Sequence, residues 1–89
     1  MAKVNVILKL MPEDPERGFN KTIEQIREKS KELNYVFKDY REEEIAFGIK
    51  NLYISIVIKE TGGLIDRIEK EFLKLDNVGN LEVIGVSRV

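Results

Sequence analysis

Cysteine and histidine are both absent from this 89-residue chain. Disulfides, thiolate nucleophiles, imidazole bases and nearly every zinc or copper site are absent with them. Serine occurs only as Ser30, Ser55 and Ser87, and without histidine none has the usual base that turns a hydroxyl into a nucleophile. Few enzyme classes remain. Neither sign of charge is in excess: 15 basic residues face 16 acidic ones, for a net charge of −1. No whole-molecule field therefore gathers a phosphate backbone, which argues against direct nucleic-acid binding. Long hydrophobic runs are missing too. The N-terminal segment reaches only three consecutive apolar residues, Val6-Ile7-Leu8, far short of a signal peptide or a membrane span, so a cytoplasmic location without a membrane partner is expected.

The chain does have core material. Apolar residues make up 43% of it and charged residues 35%, a balance that fits one soluble globular domain over residues 1–89. Val4, Val6, Leu8 and Leu10 alternate with Lys3, Asn5, Ile7 and Lys9, the period-two pattern of a strand over 3–11 with one buried face. Pro12 and Pro15 end it among acids. Phe19, Ile23, Ile26 and Leu33 fall at helical spacing and predict a helix over about 18–34, stopped at Asn34. Residues 35–47 read as a long second strand, whose charges suit a sheet edge. Gly48 supplies the positive φ for the connection. Leu52, Ile54, Ile56 and Ile58 give the clearest strand pattern, Ile65, Ile68, Phe72 and Leu75 a second helix over about 64–75, and residues 76–80 a turn before a last strand over 81–89.

The resulting β-α-β-β-α-β order, with right-handed crossovers, predicts a ferredoxin-like α+β sandwich: a four-stranded antiparallel sheet with both helices on one face. The other face is open and carries Ile7, Tyr53 and Val57. The last strand adds either Ile84 and Val86 or Leu81 and Val83, because its alternation is ambiguous. Such a face either docks a partner or is ordinary scattered exposure.

Few groups suggest chemistry. Glu42-Glu43-Glu44 alternate across a strand, so at most two converge on one ion, and a solvated edge is expected rather than a metal site. Thr61-Gly62-Gly63 lacks the lysine and spacing of a P-loop and reads as a structural turn. The central aromatics Tyr35, Phe37, Tyr40, Phe47 and Tyr53 lack the basic, glycine-flanked motif of an RNA-binding sheet. A small-molecule regulatory module on the same fold stays open as an alternative.

Three segments carry a resemblance: Lys3-Val4-Asn5-Val6-Ile7-Leu8-Lys9-Leu10-Met11-Pro12-Glu13, then Glu44-Ile45-Ala46-Phe47-Gly48-Ile49-Lys50-Asn51-Leu52, then a final strand ending one residue beyond a basic side chain. Together they resemble the archaeal translation elongation factor 1-beta family over essentially the whole chain. The resemblance implies a ferredoxin-like guanine nucleotide exchange factor for the GTPase elongation factor 1-alpha, with no covalent chemistry, no cofactor, no metal and no nucleotide of its own. It also implies that Arg88 acts at the partner's magnesium and phosphate site, where the family has lysine. Phe47, Gly48 and Lys50 at the hairpin, Tyr53 on the open face and Val89 beside Arg88 are its implied partner contacts. At Glu44 the family usually has proline. Taken by itself, the ring of Phe47 either caps the core or stands out toward a partner.

Overall fold

β1 (Lys3–Pro12) lies inside the sheet, and its even positions decide where the core is. Val4, Val6, Leu8 and Leu10 are all at most 5% exposed. They stand opposite Ile58, Ile56, Ile54 and Leu52 of the antiparallel β3 (Ile49–Lys59), which are equally buried. Directly opposed residues share a face, so eight branched aliphatic side chains form one apolar layer. β4 (Val78–Arg88) pairs with the other side of β1, and β2 (Tyr35–Ala46) with the outside of β3, giving the order β2-β3-β1-β4. The computed structural model describes residues 2–59 and 62–89.

Both helices lie on that apolar layer. α1 (Asn20–Lys29) buries Ile23 and Ile26, and α2 (Leu64–Phe72) buries Ile68 and Phe72, all in one cluster with the strand residues. The chain therefore has the ferredoxin-like β-α-β-β-α-β order. Charged β2 is an edge strand, as its composition predicts.

Several boundaries differ from the sequence reading. α1 ends at Lys29 rather than near 34, because the Ser30 backbone N–H and hydroxyl both turn back to the Arg27 carbonyl, at 3.3 and 2.8 Å. Leu33 is still buried, and Asn34, expected to stop the helix, instead takes its φ of 57° in the turn that leads into β2. Arg27 lies 5.2 Å over the Phe37 ring. α2 stops at Phe72, three residues early, although Leu75 remains in the core. β3 starts at Ile49 and β4 at Val78, each three residues earlier than expected. Asn77 at φ 56° completes the turn alone. Gly79 then runs in the strand, where a side chain would bring a Cβ to 2.9 Å from the Glu13 backbone. Of the Thr61-Gly62-Gly63 turn, Thr61 lies outside the described residues; Gly63, at φ 80°, precedes α2.

A bulge resolves the ambiguous alternation of β4. Gly85 faces Ile7 and Val83 faces Leu8, so Ile84 is an extra residue between them. Before it, Leu81 and Val83 pack against the core; Ile84 is 48% exposed. After it, the even-numbered positions face the helix side, with Val86 opposite Val6 and Arg88 opposite Val4.

Tyr35 ties the edge strand to both helices. Its hydroxyl donates to the Ile26 carbonyl, and its ring meets Phe72 edge-on at 5.6 Å. Burial pushes the phenol pKa well above its ordinary value. Two outcomes are expected. Ile56→Ala should destabilise the protein by roughly 2–5 kcal/mol in urea unfolding, since it empties a fully buried site. Tyr35 favours its neutral form when folded, so its contribution is complete below about pH 10 and is lost as pH rises through that range toward the raised value. The urea midpoint should fall above about pH 10, and the fall should be shallower in Tyr35→Phe.

Candidate functional site

β2 and β3 are joined by two residues, Phe47 and Gly48, at φ 51° and 79°. Two successive positive φ values define the primed turn that matches strand twist, for which Asn-Gly is the favoured pair. Glycine fits its place. Phenylalanine does not, because a bulky side chain in the left-handed region crowds its own backbone. Nor does the core reward it, since Phe47 is 102% exposed. The core-capping reading of this ring is thus overturned: the turn holds it away from the sheet.

Lys50 lies two residues further on, exposed and directly opposite Glu44. With Gly48, Glu42 and residues 15–19 it lines a small cleft of about 160 Å³. The far wall of this cleft is fixed by Asn77, a residue the sequence reading treated only as part of a turn. Asn77 is 2% exposed. Its Oδ1 accepts the Asp14 N–H at 2.8 Å, and its Nδ2 donates to the Arg17 and Gly18 carbonyls at 3.1 and 3.3 Å. Arg17 reaches both oxygens of Asp76 at 2.6 Å, and Asp76 is held from α1 by Thr22 and Gln25. The only sequence signal for this lock is an asparagine at a turn, a residue that tolerates positive φ and bonds nearby backbone.

Tyr53 occupies the middle of the open face, half-buried, with the Arg41 guanidinium 5.1 Å over its ring. Beside it is a shallow cavity of about 230 Å³ lined by Ile7, Tyr40, Ser55 and Ile84 among others. That is below the usual size of a small-molecule pocket. The open face therefore includes Ile84 and not Leu81 or Val83. Glu43 pairs loosely with Arg41 at 3.5 Å, and among the described residues no three acids gather as a metal site.

Arg88 and Val89 lie at the other end of the sheet. The Val89 N–H donates to the Lys3 carbonyl at 3.1 Å, which continues the ladder past β4 and fixes the position of Arg88 beside it. Val89 is 78% exposed. The implied site residues thus do not converge. Phe47, Gly48 and Lys50 share one end, Tyr53 the middle, and Arg88 and Val89 the opposite end, separated by the ten residues of β1, or roughly 30 Å. Among the described residues no helix is long and apolar enough to cross a membrane.

Comparison with known proteins agrees with this architecture. Residues 5–89 match the family described as the EF-1 guanine nucleotide exchange domain. Elongation factor 1-beta of Staphylothermus marinus is 37% identical over 93 aligned positions, covering 100% of this chain and 99% of that protein. The proteins of the same name from Thermoplasma volcanium and Methanocaldococcus jannaschii are 32% and 31% identical, over 100% and 98% of both chains. Among solved structures, the C-terminal domain of MgtC from Mycobacterium tuberculosis superposes with a TM-score of 0.63, covering 100% of this chain and 88% of that one. At 10% identity, that similarity is one of fold.

The turn geometry gives a direct test. Phe47→Asn should raise folding stability by about 0.5–1 kcal/mol, since asparagine is at ease in this conformation and the ring contributes no burial. Loss of stability in urea unfolding would mean that the ring packs on the protein after all.

Proposed function

Because the chain belongs to the EF-1 guanine nucleotide exchange domain family, in which a nucleotide exchange role is common ground, we propose that residues 1–89 act as one exchange domain on the GTPase elongation factor 1-alpha. The observation that carries this reading is Phe47. A fully exposed ring, held in a backbone conformation that opposes it, does nothing for folding and suits a contact with another molecule. Gly48 makes the turn, and Lys50 and Tyr53 extend the contact along the cleft and the open face. Docking at this end places the protein; Arg88, roughly 30 Å away, acts at a second point on the same partner.

At that point the action is electrostatic. A guanidinium brought beside the partner's bound magnesium raises the energy of the metal by charge repulsion and competes for its ligands. Weakening the metal removes the main neutralisation of the GDP phosphates, and GDP leaves faster. Val89, tied to Lys3, restrains the strand end, so that the cation arrives on a backbone already ordered. No bond is made or broken. The exchange factor binds the nucleotide-free partner more tightly than the loaded one, and by reciprocity nucleotide weakens the exchange factor to the same degree. This chain holds neither nucleotide nor cofactor, and the direction of exchange follows the supply of GTP. Translation elongation in the cytoplasm is the setting of this reaction.

Arg88→Ala should slow stimulated release of a fluorescent GDP analogue far more than it weakens complex formation, and Arg88→Lys should retain activity, because a compact ammonium suits a point contact as well as a fork does. Raising free magnesium should oppose the wild-type protein more than Arg88→Ala. Full activity of Arg88→Ala in stopped-flow release, with unchanged magnesium sensitivity, would remove Arg88 from the mechanism.

A further inference from the structure

A net charge of −1 conceals a separation of charge along the molecule, whose long axis is 43 Å. Around the hairpin end stand Glu13, Asp14, Glu16, Glu42, Glu43 and Glu44, against Lys50, Arg17, which is committed to Asp76, and Arg41, which pairs with Glu43. The opposite end is basic. Lys3 and Lys59 are direct cross-strand partners at the ends of β1 and β3, and Arg88 follows on β4 opposite Val4, so that three adjacent strands each finish on an exposed cation. Lys31, in the turn after α1, lines a common cleft with Lys59. Among the described residues, the acids toward this end include Asp66 in the first turn of α2 and Glu32, which lies 3.8 Å from Lys29; Glu60, next to Lys59 in the chain, lies outside the described residues.

The Lys3 and Lys59 pair is unfavourable for folding. Like charges placed directly opposite in an antiparallel pair repel and destabilise the ladder. At the hairpin end the equivalent cross-strand positions hold Glu44 and Lys50, which attract. One sheet thus carries a complementary charge pair at one end and a self-repelling pair at the other, the latter next to Arg88.

We propose that Lys3, Lys59 and Lys31 form, with Arg88, a cationic docking end for the phosphate-bearing nucleotide site of the partner GTPase, with Lys3 and Lys59 at positions of the open side of the sheet and Arg88 at one of the helix side, and that the opposite polarity of the two ends orients the protein before contact. The proposal rests on the exchange reading above and extends it from a single cation to a cluster. Charge complementarity selects the occupant. Clustered cations favour a multiply charged phosphate group, and a molecule with opposite poles turns in such a field as it approaches. The effect belongs to the encounter, so it is read in the association rate and is screened by salt.

The experiment compares wild type with Lys59→Glu and with Lys3→Gln/Lys59→Gln. Lys59→Glu converts repulsion into attraction and should raise the melting temperature by roughly 1–8 °C. Yet its association with the GTPase loaded with fluorescent GDP, followed by stopped flow at about 25 mM salt, should be roughly three- to tenfold slower, with the loss falling on association more than dissociation. The double variant should be slowed in the same direction, and all three proteins should converge above about 0.5 M salt. Unchanged association rates in both variants at low salt would overturn the proposal, as would slowing that persists at high salt. Tight, salt-sensitive binding of RNA to the wild type with unaltered GTPase association would assign the patch to another polyanion. Failure of this inference is distinct from failure of the exchange reading: in the latter case the wild-type protein does not accelerate GDP release at all.

Discussion

The whole architecture hangs on the register between β1 and its two neighbours. Val4, Val6, Leu8 and Leu10 must meet Ile58, Ile56, Ile54 and Leu52 on one side, because a slip of one residue in a period-two element turns its entire apolar set toward solvent. Once that register is set, the helices have one surface to cover, and the strand ends carry their side chains to fixed places. The candidate site depends on this arrangement, since its residues lie on strand ends and on the turn between two strands. The sheet itself measures the distance between them.

How legible this was in the sequence varies by element for physical reasons. β1 and β3 were readable because each has one buried face, so composition repeats the geometry residue by residue. β2 was readable as an edge because its charges, such as Lys38 and Glu42, have no place in a sheet interior. Boundaries were poorer guides. Ser30 ends α1 through bonds that compete with the helix ladder, and position 79 of β4 requires glycine because the Glu13 backbone passes too close for a side chain. That contact joins residues far apart in the chain, and no local pattern contains it.

The candidate site was read by likeness more than by physics. Family resemblance pointed to Phe47 and Arg88, whereas periodicity alone left Phe47 open between core and surface. Turn geometry resolves it, because both dihedral angles and exposure place the ring outside. The Asn77 lock was missed for the opposite reason: an asparagine at a turn is commonplace, and its partners, Asp14, Arg17 and Gly18, become visible only after folding. The grouping of Lys3 with Lys59 was likewise hidden, since 56 positions separate two residues that the ladder sets side by side.

The extra residue at Ile84 determines which way the end of the chain points. Along a strand each added residue reverses the side to which the next one projects, so the bulge acts as a phase shift of half a period for everything downstream. Arg88 lies on the helix side only because the count between Val83 and the end includes that shift. The spacing from Leu8's partner to the terminal cation is therefore constrained in parity as well as in length. Two residues gained or lost there would leave the cation on the same side of the sheet, and a single one would move it to the other.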